Sequence, residues 1–126
     1  MTNLDAFRAF NALTILGTKD LPIRVSHRVA LTISKLKDAV SITSDLQKQL
    51  IEKYGGKISE DGRIIFDKKT EETVLAAFQN EWDELNGLES GVSIDPIVLT
   101  YKDAEDIKLA PNVLMDLNGI LELSKD

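Results

Sequence analysis

The fold of this chain is decided by residues 51–66, which read IEKYGGKISEDGRIIF. Glycine reaches the left-handed backbone conformation without a steric penalty, so Gly55 and Gly56 should end the helix that precedes them. Asp61 and Gly62 stand between two short apolar runs, and this pair is a strong signal for a tight hairpin. The stretch therefore predicts the end of one helix and a β-hairpin.

Amphipathic segments on both sides of the hairpin predict two helices. Residues 22–54 carry apolar side chains at alternating three- and four-residue steps, including Val29, Leu36 and Leu46, and this spacing is typical of the seam of a coiled coil. Hydroxyl side chains at residues 41–44 leave open a kink or a break there. Residues 70–88 form a second amphipathic segment, with a stripe made of Leu75, Phe78, Trp82 and Leu85. We expect the two seams to pack as an antiparallel pair.

Smaller elements are expected at the two ends of the chain. Residues 3–16 should form a helix that Gly17 ends, with Phe7 and Phe10 in the core. Residues 92–101 alternate in polarity and predict one edge strand interrupted at its proline, because proline cannot donate to a central ladder. The strand edge would therefore face solvent or a partner.

The last quarter of the sequence predicts a turn and a helix. Residues 102–106 should be an acidic turn, and residues 107–109 are a candidate for a further short strand. Pro111 has the fixed φ that suits the first turn of a helix. The inward side chains of this helix would be Val113, Leu114, Leu117, Ile120 and Leu121. Residues 124–126 are expected to fray.

Length and composition fit a single domain with one core. The chain has 126 residues, of which 43% are hydrophobic, a normal content for a globular protein. The predicted fold class is α+β, mostly α. A helical pair with its hairpin spans residues 22–88, and a strand and a C-terminal helix follow over residues 91–123. The absence of cysteine excludes disulfides and thiolate chemistry.

The N-terminus and the hydropathy pattern predict no membrane partner. Residues 1–16 lack the basic start and uninterrupted apolar stretch of a secretory signal. No run approaches the roughly 18 apolar residues that a transmembrane helix needs. We therefore expect a cytosolic protein, or one packaged in a particle that assembles in the cytosol.

Charge is divided unequally along the chain. Residues 1–59 have a net charge of +4 and residues 60–126 one of −10, although the whole chain carries −6. One interpretation is that the basic first helix and the acidic second helix lie side by side and partly neutralise each other. The other is that an acidic face is offered to a basic partner.

No residue pattern for catalysis, a metal or a cofactor is found. His27, the single histidine, has Arg28 beside it, and an imidazole next to a cation is a poor general base without an acidic orienter. The acids at residues 103–106 lack the spacing of a calcium loop and are expected to be a solvated turn. Residues 55–57 follow a helix rather than a strand, so they do not form a phosphate-binding loop. We expect a protein that is not an enzyme and binds no cofactor.

A basic run on the long helix raises the question of nucleic acid. Its members are Arg24, Arg28, Lys35 and Lys37. The chain as a whole is acidic and has few aromatic residues near this run, whereas nucleic-acid-binding proteins combine a basic surface with stacking side chains. A nucleic-acid partner is therefore not expected.

Four stretches between residues 50 and 101 resemble small bacteriophage accessory proteins. They are IEKYGG at 51–56, EDG at 60–62, FQNEWDEL at 78–85 and VSI at 92–94. In such proteins a long helix ends in a tyrosine-glycine turn, a glycine hairpin follows, and a second helix ends in an acidic stretch before a short strand. The resemblance brings no catalytic residues. It implies a phage origin and an accessory role in the virion, in its assembly or against a host factor.

The expected function is that of a non-enzymatic phage structural or assembly protein, in the host cytoplasm or in the virion. Its partners would be proteins: further copies of itself, other phage proteins or a host protein. The hairpin and the interrupted strand would make edge contacts with them. The candidate contact residues are Ile58, Arg63, Ile65, Glu81, Glu84, Ile97 and Leu99. The alternative is an acidic inhibitor or adaptor that occupies a basic groove of a host or defence protein.

Overall fold

The computed structural model describes residues 1–124, which form a mixed α+β fold that is mostly helical, as predicted. The helices are α1 (Asn3–Leu16), α2 (Ile23–Lys53), α3 (Glu72–Gly87), α4 (Tyr101–Glu105) and α5 (Pro111–Asp116). The strands are β1 (Lys57–Ile58), β2 (Ile64–Ile65), β3 (Ile97–Thr100) and β4 (Leu121–Ser124). Strands β1 and β2 pair antiparallel, and β3 and β4 pair parallel. Residues 124–126 were expected to fray, but Ser124 is the last residue of β4. Residues 125 and 126 lie outside the described range.

Helix α1 has the predicted bounds but buries a different face. A capping box starts it, in which the Thr2 hydroxyl accepts from the Asp5 backbone N–H and the Asp5 carboxylate accepts from the Thr2 N–H. The backbone and side-chain hydrogen bonds from Thr2 lower the pKa of Asp5. The buried residues are Ala6, Ala9, Ala12, Leu13 and Leu16, which let a neighbouring helix approach closely. Phe7 is 44% exposed, so the prediction that it lies in the core is wrong, whereas Phe10 is partly buried and packs against the core.

Helix α2 is continuous over Ile23–Lys53, so the break left open at residues 41–44 does not occur. Thr43, inside that segment, is buried. Tertiary packing therefore stabilises the helix at a stretch whose own helix propensity is low. Thr32 is also buried, and its hydroxyl donates to the Arg28 carbonyl at 2.8 Å. Packing and this local hydrogen bond together accommodate the hydroxyl side chains of the helix.

The main core lies between α1, the N-terminal half of α2, the β3–β4 pair and α5. Val25, Val29 and Leu36 from α2 belong to it and are at most 2% exposed. The other buried members are Ala6, Ala9, Ala12, Leu13, Leu16, Ile97, Leu99, Val113, Leu117 and Ile120. The N-terminal part of the α2 seam therefore packs in this core and not on α3.

The C-terminal quarter differs most from its prediction. Residues 101–105 form α4 instead of a turn, because the Thr100 side chain caps a helix by accepting from the Asp103 N–H. Residues 107–109 are not a strand. The last helix ends at Asp116, and Gly119, with φ of +83°, turns the chain into β4. Leu114 is consequently exposed, and residue 121 belongs to a strand.

A smaller apolar cluster lies at the hairpin end, where α3 packs antiparallel on the C-terminal part of α2. An ion pair between Lys53 and Glu81 and a hydrogen bond between the Gln47 and Asn86 side chains fix this direction. The cluster centres on Phe78, whose ring centroid lies 5.0 Å from that of Phe66, 5.5 Å from that of Trp82 and 6.0 Å from that of Tyr54. Phe78 and Ile51 are buried outside the main core. The predicted helical pair is confirmed, whereas the single core is divided into two.

Candidate protein-binding surfaces

The hairpin presents three of the predicted contact residues to solvent. Ile58 is 49% and Ile65 is 53% exposed. They lie on opposite faces of the two-stranded sheet, because Ile58 pairs with Ile64 and Ile65 pairs with Lys57. Arg63 is exposed beside them and forms an ion pair with Asp61 at 3.2 Å. The hairpin can therefore offer an isoleucine on each of its two faces.

A cleft between α2 and α3 contains the two predicted acidic contact residues. The interhelical cleft has a volume of about 420 Å³ and is lined by Leu46, Gln49, Leu50, Lys53, Glu81, Glu84, Leu85 and Leu88. Leucines from both helices supply its apolar surface, and the polar side chains supply its rim. Sequence reasoning found Glu81 and Glu84 but assigned Leu46 to the core seam, because seam spacing does not show whether a neighbour covers it.

Charge at the rim of the interhelical cleft is partly neutralised within the protein. The Lys53 ammonium lies 3.1 Å from a carboxylate oxygen of Glu81. The Tyr54 hydroxyl and the Lys53 ammonium near the carboxylate lower the pKa of Glu81, and Glu81 in turn raises the pKa of Lys53 and of Tyr54. Glu84 is exposed and forms no ion pair with any residue in the described range. It is therefore the unneutralised acid of the rim.

The prediction that Ile97 and Leu99 contact a partner is wrong. Their side chains are 1% and 2% exposed and belong to the main core. Alternation along a strand shows that one face is apolar, but not whether the protein itself covers that face. Here α2 and the other core elements cover it, and the exposed apolar residue of β3 is Val98.

A second apolar depression, which the sequence did not reveal, lies beside β4. The C-terminal groove has a volume of about 450 Å³. It is lined by Leu99, Ala104, Ile107, Leu109, Leu114, Met115, Leu117, Asn118, Leu121 and Leu123. None of these side chains is ionisable. The groove forms because α5 is short and β4 returns beside β3, a topology that local periodicity does not predict.

Ion pairs connect the basic and acidic parts of the chain. Arg24 contacts Asp103 at 3.0 Å, and Arg28 lies 4.0 Å from Asp95. Together with the Lys53–Glu81 pair, they join α2 to acids of the second half of the sequence. Partial neutralisation between the halves is therefore observed, although only the Lys53–Glu81 pair connects α2 with α3.

The remaining candidates for chemistry lie on the surface. His27 is exposed on α2. The acids of residues 103–106 lie on α4 and at its end. Across residues 1–124, no group of three or more histidine and acidic side chains is arranged to hold a metal ion.

Comparisons with protein-family models, curated proteins and solved structures give no significant match. Over the part of the chain that the structure describes, no helix is both long enough and apolar enough to cross a membrane.

Proposed function

We propose that this protein acts through protein–protein contacts, without catalysis, as a structural or assembly protein of a bacteriophage. The phage origin rests on the resemblance of residues 50–101, and the contact role rests on the surface. The observation that carries the contact role is the interhelical cleft, in which Leu46 of α2 and Leu88, directly after α3, remain exposed to solvent.

The cleft supports a contact role because its apolar residues are contiguous. Single exposed apolar side chains are normal on soluble proteins, whereas contiguous apolar depressions with a polar rim are typical of interaction sites. Leu46 is 40% exposed on one side of the cleft, and Leu88 is 52% exposed at the end of the other. A partner side chain between them would bury apolar surface that α2 and α3 leave uncovered.

The occupant that fits is an amphipathic helix of another protein of the particle. Two helices that expose leucines along a shared cleft accept a third helix, whose apolar residues recur at three- and four-residue steps. Glu81 is neutralised by Lys53, so Glu84 is the acid available to such a helix. We expect the partner helix to carry a lysine or arginine facing Glu84.

The alternative of an acidic inhibitor has less support. A mimic of nucleic acid needs acids in a spaced surface array, free to meet a basic groove. Asp95, Asp103 and Glu81 are instead paired with arginine and lysine side chains of α2. These pairs remove acids from the surface array that a basic partner would meet.

Co-purification from infected cells tests the proposal. The tagged protein is compared with a double variant, Leu46→Glu with Leu88→Glu, and with Thr14→Glu, which changes an exposed position on α1. We expect the wild type to retain a phage structural protein, and cross-linking mass spectrometry to place an amphipathic helix of that protein at Glu84. The double variant should retain it at least about tenfold less well, since core contacts of an interface are worth over 1.4 kcal/mol.

The control variant should behave as the wild type, and circular dichroism should show that all three proteins are folded. The proposal fails if no phage protein is retained, if the double variant retains the same amount, or if the cross-links lie away from the cleft.

A further inference from the structure

On the outer edge of strand β4, one residue has both of its backbone groups without a backbone partner among residues 1–124. The Ile97 N–H donates to the Ile120 carbonyl at 2.7 Å, and Ile97 lies beside Leu121 in the parallel register. Backbone groups alternate in direction along a strand, so residues 122 and 124 direct theirs to β3, and Leu121 and Leu123 direct theirs away.

The two outward-directed residues differ. The Leu121 N–H already donates to the Leu117 carbonyl at 3.0 Å, in the turn that enters β4. For the N–H and the carbonyl of Leu123, residues 1–124 supply no backbone partner. Open strand edges are usually covered or blunted in native proteins, because they template pairing with another strand.

Side chains make the same edge apolar. The register places Leu123 beside Leu99, so Leu123 points to the face of the sheet that borders the C-terminal groove. Leu123 is 52% exposed, and Leu114 and Met115 on the rim are 53% and 76% exposed. A strand added at this edge would place alternate side chains over these three residues.

We infer that β4 pairs antiparallel with β4 of a second copy of this chain, so that the two β3–β4 pairs form one four-stranded sheet. This inference rests on the proposed contact role and names one partner for it. The two-fold axis would pass between Leu123 of one copy and Leu123 of the other. Residues opposite each other in a hydrogen-bonded antiparallel pair exchange both N–H···O bonds, which satisfies both open groups of Leu123.

The register follows from charge as well as from hydrogen bonding. With the axis at Leu123, Glu122 lies opposite Ser124 of the partner copy. An axis at Glu122 would place two glutamates directly opposite each other, which is destabilising. It would also require the Leu121 N–H, which is already bonded within the chain. Of these two registers, the one centred on Leu123 avoids both conflicts.

A second copy is the occupant because the groove suits a symmetric contact. In a two-fold interface every residue near the axis meets its own image, so a charged patch would repel itself. The chain has a net charge of −6 and 29% charged residues, yet the ten residues lining the C-terminal groove include no ionisable side chain. Each copy would cover the rim of the other with leucine and methionine.

Sedimentation and cysteine cross-linking of the intact protein test this inference. The wild type should sediment as a dimer within the range of roughly 1 to 100 μM, as expected for a modest interface. Leu123→Lys should be monomeric there. Val98→Lys, which changes a residue of similar exposure on the other face of the sheet, should remain dimeric.

Because the chain contains no cysteine, a single introduced thiol reports only on contacts between copies. Under mild oxidation Leu123→Cys should give a covalent dimer, since paired strand residues lie within the Cα separation that a disulfide spans. Val98→Cys should not.

A monomeric wild type, a Leu123→Lys protein that stays dimeric, or equal cross-linking of the two cysteine variants would overturn the dimer. Folding is checked by circular dichroism, and Leu123→Cys serves as the milder change. Loss of the dimer alone leaves capture at the interhelical cleft intact. Loss of that capture, in turn, leaves β4 pairing intact, so the two proposals fail separately.

Discussion

The two ends of α2 are packed in different ways although they carry the same apolar spacing. At the N-terminal end, α1 and β3 lie against the helix, and Leu36 is fully buried. At the C-terminal end, α3 and the hairpin are the neighbours, and Leu46 stays 40% exposed. An amphipathic stripe therefore shows where a helix can be covered, and the number of neighbours decides whether it is. The uncovered end is the one at which we propose that a partner binds.

The largest effect should come from the closed end. Leu36→Ala removes a fully buried side chain from the main core, and it should lower the free energy of unfolding by about 2–5 kcal/mol through lost burial and a residual cavity. Leu31→Ala is the matched control on the same helix, because Leu31 is 46% exposed. Urea unfolding followed by circular dichroism gives both values. Equal losses of stability in the two variants would contradict the burial of Leu36 and the exposure of Leu31 in the N-terminal half of α2.

An intermediate effect is expected at the hairpin end from Gly56→Ala. A Cβ at Gly56 would lie 2.9 Å from Cε1 of Phe66 and 3.0 Å from Cγ2 of Ile51. Phe66 packs edge-on against Phe78, so moving its ring would disturb that contact, and we expect a loss of about 1–3 kcal/mol.

The fluorescence of Trp82, the only tryptophan, follows this region directly. Gly87→Ala is the control, since a Cβ there meets nothing within 4 Å and the backbone is helical. It should be neutral or slightly stabilising. A neutral Gly56→Ala would indicate that the hairpin packs more loosely on α2 than the structure shows.

The smallest effect concerns acid pH at the cleft rim. The pKa of Glu81 is lowered in the folded protein, so its contribution is present above its ordinary value of 4.5 and is lost as pH falls below it. Glu81→Gln should therefore be less stable than the wild type near neutral pH, and the difference should shrink between about pH 5 and pH 3.

The pairing is exposed to solvent, so the difference should be small. Asp5, whose pKa is also lowered, remains in both proteins and leaves a common acid dependence. Urea midpoints measured across this range provide the comparison. A difference that is constant with pH would assign the effect of the variant to something other than the charge of Glu81.

Local signals explain which parts of the fold the sequence predicts. The bounds of α1 and the hairpin depend on caps and turns, and Gly55 and Gly62 adopt φ of +77° and +83°, the conformation that motivated their assignment. The C-terminal segment depends on a partner distant in sequence. Leucines at residues 117–123 fit a helical period as well as a strand, and pairing with β3 selects the strand.

The candidate surfaces show the same limit. Ile58 and Ile65 are exposed because no other element covers the two faces of the short β1–β2 sheet at these residues. The sequence suggests this exposure, since it predicts a hairpin of two short strands. Ile97 and Leu99 have the same apolar character and are buried, since their exposure is set by elements far along the chain. Leu88 and Leu123 are equally apolar, and the tertiary structure leaves them exposed.

Hydrogen–deuterium exchange along α2 tests the asymmetry of this helix most directly. We expect the amides of residues 25–36 to exchange only when the whole protein unfolds, because the main core closes over them. The amides of residues 46–53 should exchange faster, through local opening of the hairpin end. Equal protection along the helix, or faster exchange in its N-terminal half, would contradict the division of α2 into a closed N-terminal end and an open C-terminal end.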